Sequence, residues 1–122
     1  MSNKQWGTPA WNFLHALTFE YPDDPSYQTI QNMSAYITAF SDILPCDKCK
    51  QHFKQLLIKF PPRLDSQVHF FQWAVDIHNQ VNKKLGKKIW TYQDVLNKRS
   101  NKNLKIFFIL ILIILIFLYF KK

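Results

Sequence analysis

The chain has 122 residues, and its last stretch is unbroken apolar sequence, which leaves about 100 residues for one small globular domain. Only two glycines occur, which excludes a glycine-rich phosphate loop of the Rossmann or Walker type. The net charge of +8 is concentrated late, at Lys83, Lys84, Lys87, Lys88, Lys98, Arg99, Lys102 and Lys105, much of it against the apolar tail. That placement points to anionic headgroups or a cytoplasmic flank, and not to nucleic acid as the main partner.

In chain order the pattern is helical. A first helix runs from Pro9 to about Phe19 and buries Trp11, Leu14, Leu17 and Thr18. A second, from Ser26 to Leu44, alternates three and four through Ile30, Met33, Ile37, Phe40 and Leu44. Pro45 ends it and sets Cys46 at the start of a third helix, which reaches about Lys59 with Cys49, Phe53, Leu56 and Leu57 on one side. Pro61-Pro62 stops that helix. Asp65 or Ser66 caps a fourth, carrying Val68, Phe71, Val75, His78, Val81 and Leu85 and ending at Gly86. Thr91-x-x-Asp94 opens a short fifth helix to about Lys98. There is no strand alternation and no repeat, so the fold class is all-α: a four-helix bundle with a short fifth helix. Residues 1–98 form the domain and 99–105 a basic linker.

Residues 106–120 contain no polar atom except one phenol. Leu104 and a snorkelling Lys105 lengthen the segment toward the roughly 17–25 residues that a membrane span requires. It is apolar on every face, unlike an amphipathic surface helix, and reads as a C-terminal transmembrane anchor. Residues 1–5 have no apolar signal-peptide core. The domain is then expected on the cytosolic face.

Cys46 and Cys49 are the only cysteines, and they form one Cys-x-x-Cys. Two thiols at that spacing on a first helical turn can cycle between dithiol and disulfide. The helix N-terminus and Lys48, Lys50 and Lys54 favour the reactive thiolate. A zinc site would require a second cysteine pair or a closely spaced histidine pair, and His52, His69 and His78 supply neither, so no metal is expected. Thioredoxin-like folds place this motif after a strand, which the chain lacks. Three readings stand: a thiol oxidase with an electron acceptor, a flavin-free membrane-anchored thiol–disulfide carrier, and a non-enzymatic zinc-binding scaffold.

A dithiol that makes disulfides requires an acceptor. Trp11 and His15 share a helix face at i, i+4, as do His78 and Asn82 beside Val81 and Leu85. Such pairs are either satisfied core hydrogen bonds or a wall against a flat, polar-edged ring.

The run Trp6-Gly7-Thr8-Pro9-Ala10-Trp11-Asn12-Phe13-Leu14-His15 is followed by Tyr21-Pro22-Asp23 and by Pro45-Cys46-Asp47-Lys48-Cys49. Phe71-Gln72-Trp73 and His78-Asn79-Gln80-Val81-Asn82-Lys83-Lys84-Leu85-Gly86-Lys87 come next. In order and spacing, over about residues 6–92, this resembles the Erv/ALR flavin-linked sulfhydryl oxidases. The resemblance implies a homodimeric helical bundle holding FAD at its mouth. Cys49 would be the thiol beside the flavin, and Cys46 the outer thiol that meets substrate. Trp11, His15, His78, Asn79, Val81, Asn82, Lys84, Leu85 and Trp90 would match flavin-contacting positions, with His52 a polar residue near the flavin. The implied reaction forms disulfides in protein thiols and passes electrons to oxygen, giving hydrogen peroxide.

The chain departs from that family twice. Val75 stands where many members carry a structural cysteine, and no shuttle cysteine pair exists outside the core. A thioredoxin-like or other cysteine-bearing protein must therefore reach Cys46 directly. Small single-domain members of this kind serve cytoplasmic disulfide formation in large DNA viruses, so a virion or intracellular membrane suits the tail.

Overall fold

The computed structural model describes residues 5–121. Residues 1–4, within the stretch 1–5 expected to have no signal-peptide core, and the terminal Lys122 lie outside the described residues. The described residues contain five helices and no strand: α1 (Gly7–Glu20), α2 (Tyr27–Ile43), α3 (Asp47–Lys59), α4 (Gln67–Lys84) and α5 (Tyr92–Phe120). They divide into two compact units, Met1–Ile89 and Trp90–Lys122.

In the first unit the helix ends follow local chemistry. Pro9 sits in the first turn of α1, where a missing N–H costs nothing. The Ser26 hydroxyl accepts from the Thr29 N–H at 3.1 Å, and the Ser66 hydroxyl from the His69 N–H at 3.2 Å, capping α2 and α4. Gly86 closes α4 in the left-handed region at φ 65°. A β-carbon there would meet no neighbour, so backbone conformation alone calls for glycine. The Lys87 N–H bonds back to Asn82 and the Gly86 N–H to Lys83, a Schellman closure.

The four helices pack through Leu14, Ile37, Leu44, Phe53, Leu56, Phe70, Trp73, Ala74 and Ile77, with α4 against α1 and α3, and α2 against α3. The α2 periodicity is met: Ile37 and Leu44 are buried, and Ile30, Met33 and Phe40 pack against the core. On α4 the buried face differs from the expected stripe. Val68 and Leu85 are 52% and 46% exposed, while Phe70, Trp73, Ala74 and Ile77 carry the core. Phe71 and Val75 of the expected stripe are also buried and Val81 packs against the core, so α4 is covered on more than one side and a single-stripe reading selects only part of the buried set. The Pro61-Pro62 loop is held by two side chains. Trp73 Nε1 donates to the Phe60 carbonyl and the Tyr21 hydroxyl to the Leu64 carbonyl, both at 2.9 Å.

The second unit corrects the expected ending. Thr91 and Asp94 form a reciprocal capping box. The helix it opens does not stop near Lys98. It continues for 29 residues to Phe120, so the short fifth helix, the basic stretch 99–105 and the apolar segment are one helix. No glycine or proline occurs from Tyr92 to Phe120 to interrupt it. That helix is long and apolar enough to cross a membrane, and its apolar residues are exposed.

Candidate active site

α2 ends because Leu44 turns to an extended conformation ahead of Pro45. Cys46 then serves as N-cap of α3: its Sγ accepts from the Cys49 N–H at 3.2 Å. The two cysteines are joined as a disulfide with Cα atoms 5.1 Å apart, and both are half-buried. The dithiol thus occupies the positive end of a helix dipole. The lysines around it are less free than their spacing suggests. Lys54 is paired with Asp42 of α2, and the Lys50 ammonium lies 4.0 Å from Asp47, an acidic residue of the first turn. Lys48 is exposed.

One turn beyond Cys49 on α3, Phe53 meets the edge of Trp11 at 6.0 Å between ring centres. Trp11 in turn stacks on His78, 4.0 Å apart and 6° from parallel. His15 Nε2 and His78 Nδ1 share a hydrogen bond of 2.9 Å, one imidazole donating and the other accepting. The fold therefore gathers residues 63 positions apart into one half-buried ring cluster, linked to the dithiol helix by Phe53. Sequence periodicity assigned Phe53 only to a helix face. Its position four residues after Cys49 was the available signal. Phe40 of α2 packs on the other side of Phe53 at 5.6 Å.

The other expected residues distribute as follows. Asn82 is 5% exposed at the end of α4, Asn79 is half-buried, and Val81 packs against the core. Lys84 and Leu85 are exposed at the Schellman turn. Trp90 begins the second unit, where the Lys98 ammonium sits 5.3 Å from its ring centre. His52 lies three residues after Cys49 and is half-buried. Burial, and then the positive charge of Lys84, hold it below the usual imidazole range. Both effects disfavour the charged form of His52.

This gives a pH dependence with a defined sign. The native state protonates His52 less readily than the unfolded chain does. Stability from neutral His52 is therefore present above the unfolded imidazole value, about 6.5, and is lost as pH falls through the lower folded value. His52→Gln should flatten the fall in urea midpoint between neutral and mildly acidic pH. An unchanged slope would show that His52 does not titrate differently on folding. Asp65, held low mainly by its hydrogen bond to His69, acts only at more acidic pH.

The donor set suits a flat, polar-edged cofactor: stackable rings, imidazole edges, a nearly buried amide, and exposed lysines beside a helix end. The arrangement defines a class, a helical bundle with a Cys-x-x-Cys disulfide capping one helix next to an aromatic–imidazole cluster. The Erv1 / Alr family profile matches residues 8–101, and the chain belongs to that family. It is 35% identical over 95 residues to the FAD-linked sulfhydryl oxidase ERV1 of Arabidopsis thaliana, covering 78% of this chain and 50% of that protein. It is 32% identical over 100 residues to the FAD-linked sulfhydryl oxidase of African swine fever virus (isolate Pig/Kenya/KEN-50/1950), covering 82% and 84%. The FAD binding domain of Erv1 from Saccharomyces cerevisiae superposes with a TM-score of 0.74 at 31% identity, covering 76% of this chain and 89% of that one. The chain spans about half the length of the plant relatives it matches.

Proposed function

We propose that this chain is an FAD-dependent thiol oxidase that forms disulfides in protein substrates through Cys46–Cys49 and delivers the electrons to oxygen as hydrogen peroxide. The observation that carries the reading is the Cys46–Cys49 disulfide at the head of α3, one turn from the Phe53–Trp11–His78–His15 cluster. Trp11, His15, His78 and Asn82 would hold the ring systems, Asn79, Val81 and Leu85 would line them, and Lys84 would meet the phosphates. His52 would sit beside the flavin near Cys49, and Trp90 would close the set.

The chemistry follows from the dithiol. A substrate thiolate attacks Cys46 Sγ, breaks the Cys46–Cys49 bond and leaves Cys49 as thiolate, which the helix dipole favours. A second substrate thiol then attacks the mixed disulfide. The substrate leaves oxidised, and Cys46–Cys49 holds two electrons as a dithiol. Bound FAD would supply a two-electron acceptor that oxygen can reoxidise. Neutral His52 three residues from Cys49 can accept the proton that a thiol gives up.

The partner is a thioredoxin-like or other cysteine-bearing protein, and the working form is a homodimer, as the family likeness suggests. Residues 1–98 act as the oxidase domain. The apolar part of α5, 106–120, would anchor it in a membrane beyond the basic stretch 99–105, with the domain facing the cytosol. A virion membrane and a viral cytoplasmic disulfide pathway fit the likeness to viral relatives.

The test is a visible spectrum of the purified chain. A flavin spectrum is expected, with the flavin released by denaturation because no covalent link is needed. Trp11→Ala and His78→Ala should each weaken retention by at least about two- to tenfold, since a lost stacking partner contributes about 0.5–1.5 kcal/mol beyond its area. A colourless, folded helical protein would overturn the oxidase reading in favour of a flavin-free carrier.

A further inference from the structure

We infer that α5 carries an acidic-phospholipid site, built from Lys102 and Lys105 with Asn101, immediately outside its apolar segment. The inference rests on the membrane reading above. Continuity of the helix is what makes the site. In a flexible 99–105 linker these side chains would have no fixed relation. On one unbroken α5, Lys105 is three residues from Lys102 and four from Asn101, so all three share a face. That face forms a groove from Trp90 to Ile106 that also includes Asp94, Asn97 and Lys98.

Depth separates the lysines. With 106–120 in hydrocarbon, Lys105 stands at its border. At 1.5 Å per residue, Lys102 lies about 4.5 Å farther out and Lys98 about 10.5 Å. The polar layer on each side of a bilayer is about 5–7 Å thick. Lys102 and Lys105 therefore fall within the plane of the phosphates and Lys98 beyond it. Lys98 is moreover held over the Trp90 ring. Two ammonium groups and an amide at that depth match a phosphodiester whose headgroup adds net negative charge. Phosphate is the shared chemistry of a lipid headgroup and a free anion. The depth of the site and its adjoining Ile106 select the lipid.

The experiment places the full-length chain in nanodiscs of phosphatidylcholine containing a minority of phosphatidylserine. Spin-labelled versions of the two lipids report which is immobilised at the protein. Phosphatidylserine should be favoured by about fivefold, as for a lysine near an anionic surface. Lys102→Gln with Lys105→Gln should abolish the preference, whereas Lys98→Gln should change it by less than about twofold. Exchanging Lys102 with Asn103 (K102N with N103K) keeps the charge and depth but moves one lysine off the face. Loss of preference there supports the site, and retention overturns it in favour of unpatterned charge. Equal association of the two lipids overturns it, and displacement of the lipid by inorganic phosphate overturns the lipid assignment. A chain that never enters nanodiscs overturns the membrane reading and this site together. A chain that enters without lipid preference overturns this site alone.

Discussion

Cys46→Ser and Cys49→Ser should each reduce oxidation of dithiothreitol to the uncatalysed background, yet the two proteins should differ in colour. Neither variant can form the Cys46–Cys49 bond that accepts electrons, so both lose turnover completely. The difference comes from position on α3. Cys49 is one turn from Phe53 and His52, on the side of the Trp11–His78 stack, while Cys46 caps the helix from outside its first turn. With Cys46 removed, Cys49 would remain as a lone thiol beside the proposed flavin, and a long-wavelength thiolate-to-flavin absorption should appear. With Cys49 removed that band should be absent. A band in the Cys49 variant would reverse the assigned roles. The same Cys49→Ser protein should retain one dominant partner as a mixed disulfide on Cys46, visible on non-reducing gels and identifiable by mass spectrometry. Charge reversal at Lys48, which lies exposed one residue before Cys49, should slow oxidation of that partner far more than of dithiothreitol. Equal slowing of both substrates would mean that Lys48 tunes the dithiol itself.

Removal of residues 103–122 should release the protein from membranes entirely while leaving oxidation of small thiols intact. The truncated α5 keeps its Thr91–Asp94 capping box and loses the whole exposed apolar length. The apolar core of that length, residues 106–120, is about 22 Å of helix, less than the roughly 30 Å of hydrocarbon that a span would cross. In a bilayer the shortfall would leave Lys105 and Lys121 as snorkelling residues at the two borders. Alkaline carbonate extraction decides the matter: the full chain should stay with the lipid and the truncated one should not. Full-length protein recovered in the soluble fraction would remove the anchor.

Much of this protein is legible without coordinates because its signals are local. Ser26, Ser66 and Thr91 are caps wherever a helix follows them, and Pro45 must end α2. A sole Cys-x-x-Cys at a helix start has few chemical uses. Signals that sum over many contacts were less readable. Three-four periodicity picks one face, but α4 is covered on several, so it assigns Val68 and Leu85 to the core and omits Phe70 and Ala74. The basic stretch after Lys98 reads as a linker because charge and polarity resemble those of loops. With no glycine or proline and a firm cap, it nevertheless continues as helix.

The sequence by itself determined the helical class, the redox motif and the apolar segment. Each rests on residues within one or two turns of one another, where spacing alone fixes which side chains can meet. Only the tertiary structure decided that Trp11 stacks on His78, that His15 bonds to it, that Phe53 joins them to the dithiol helix, and that the charge of Lys84 reaches His52. The ring contacts and the histidine bond join residues 42 to 67 positions apart, and their geometry depends on how α1, α3 and α4 pack. Side-chain packing across helices follows from the shapes of all the residues between them, which no local pattern encodes.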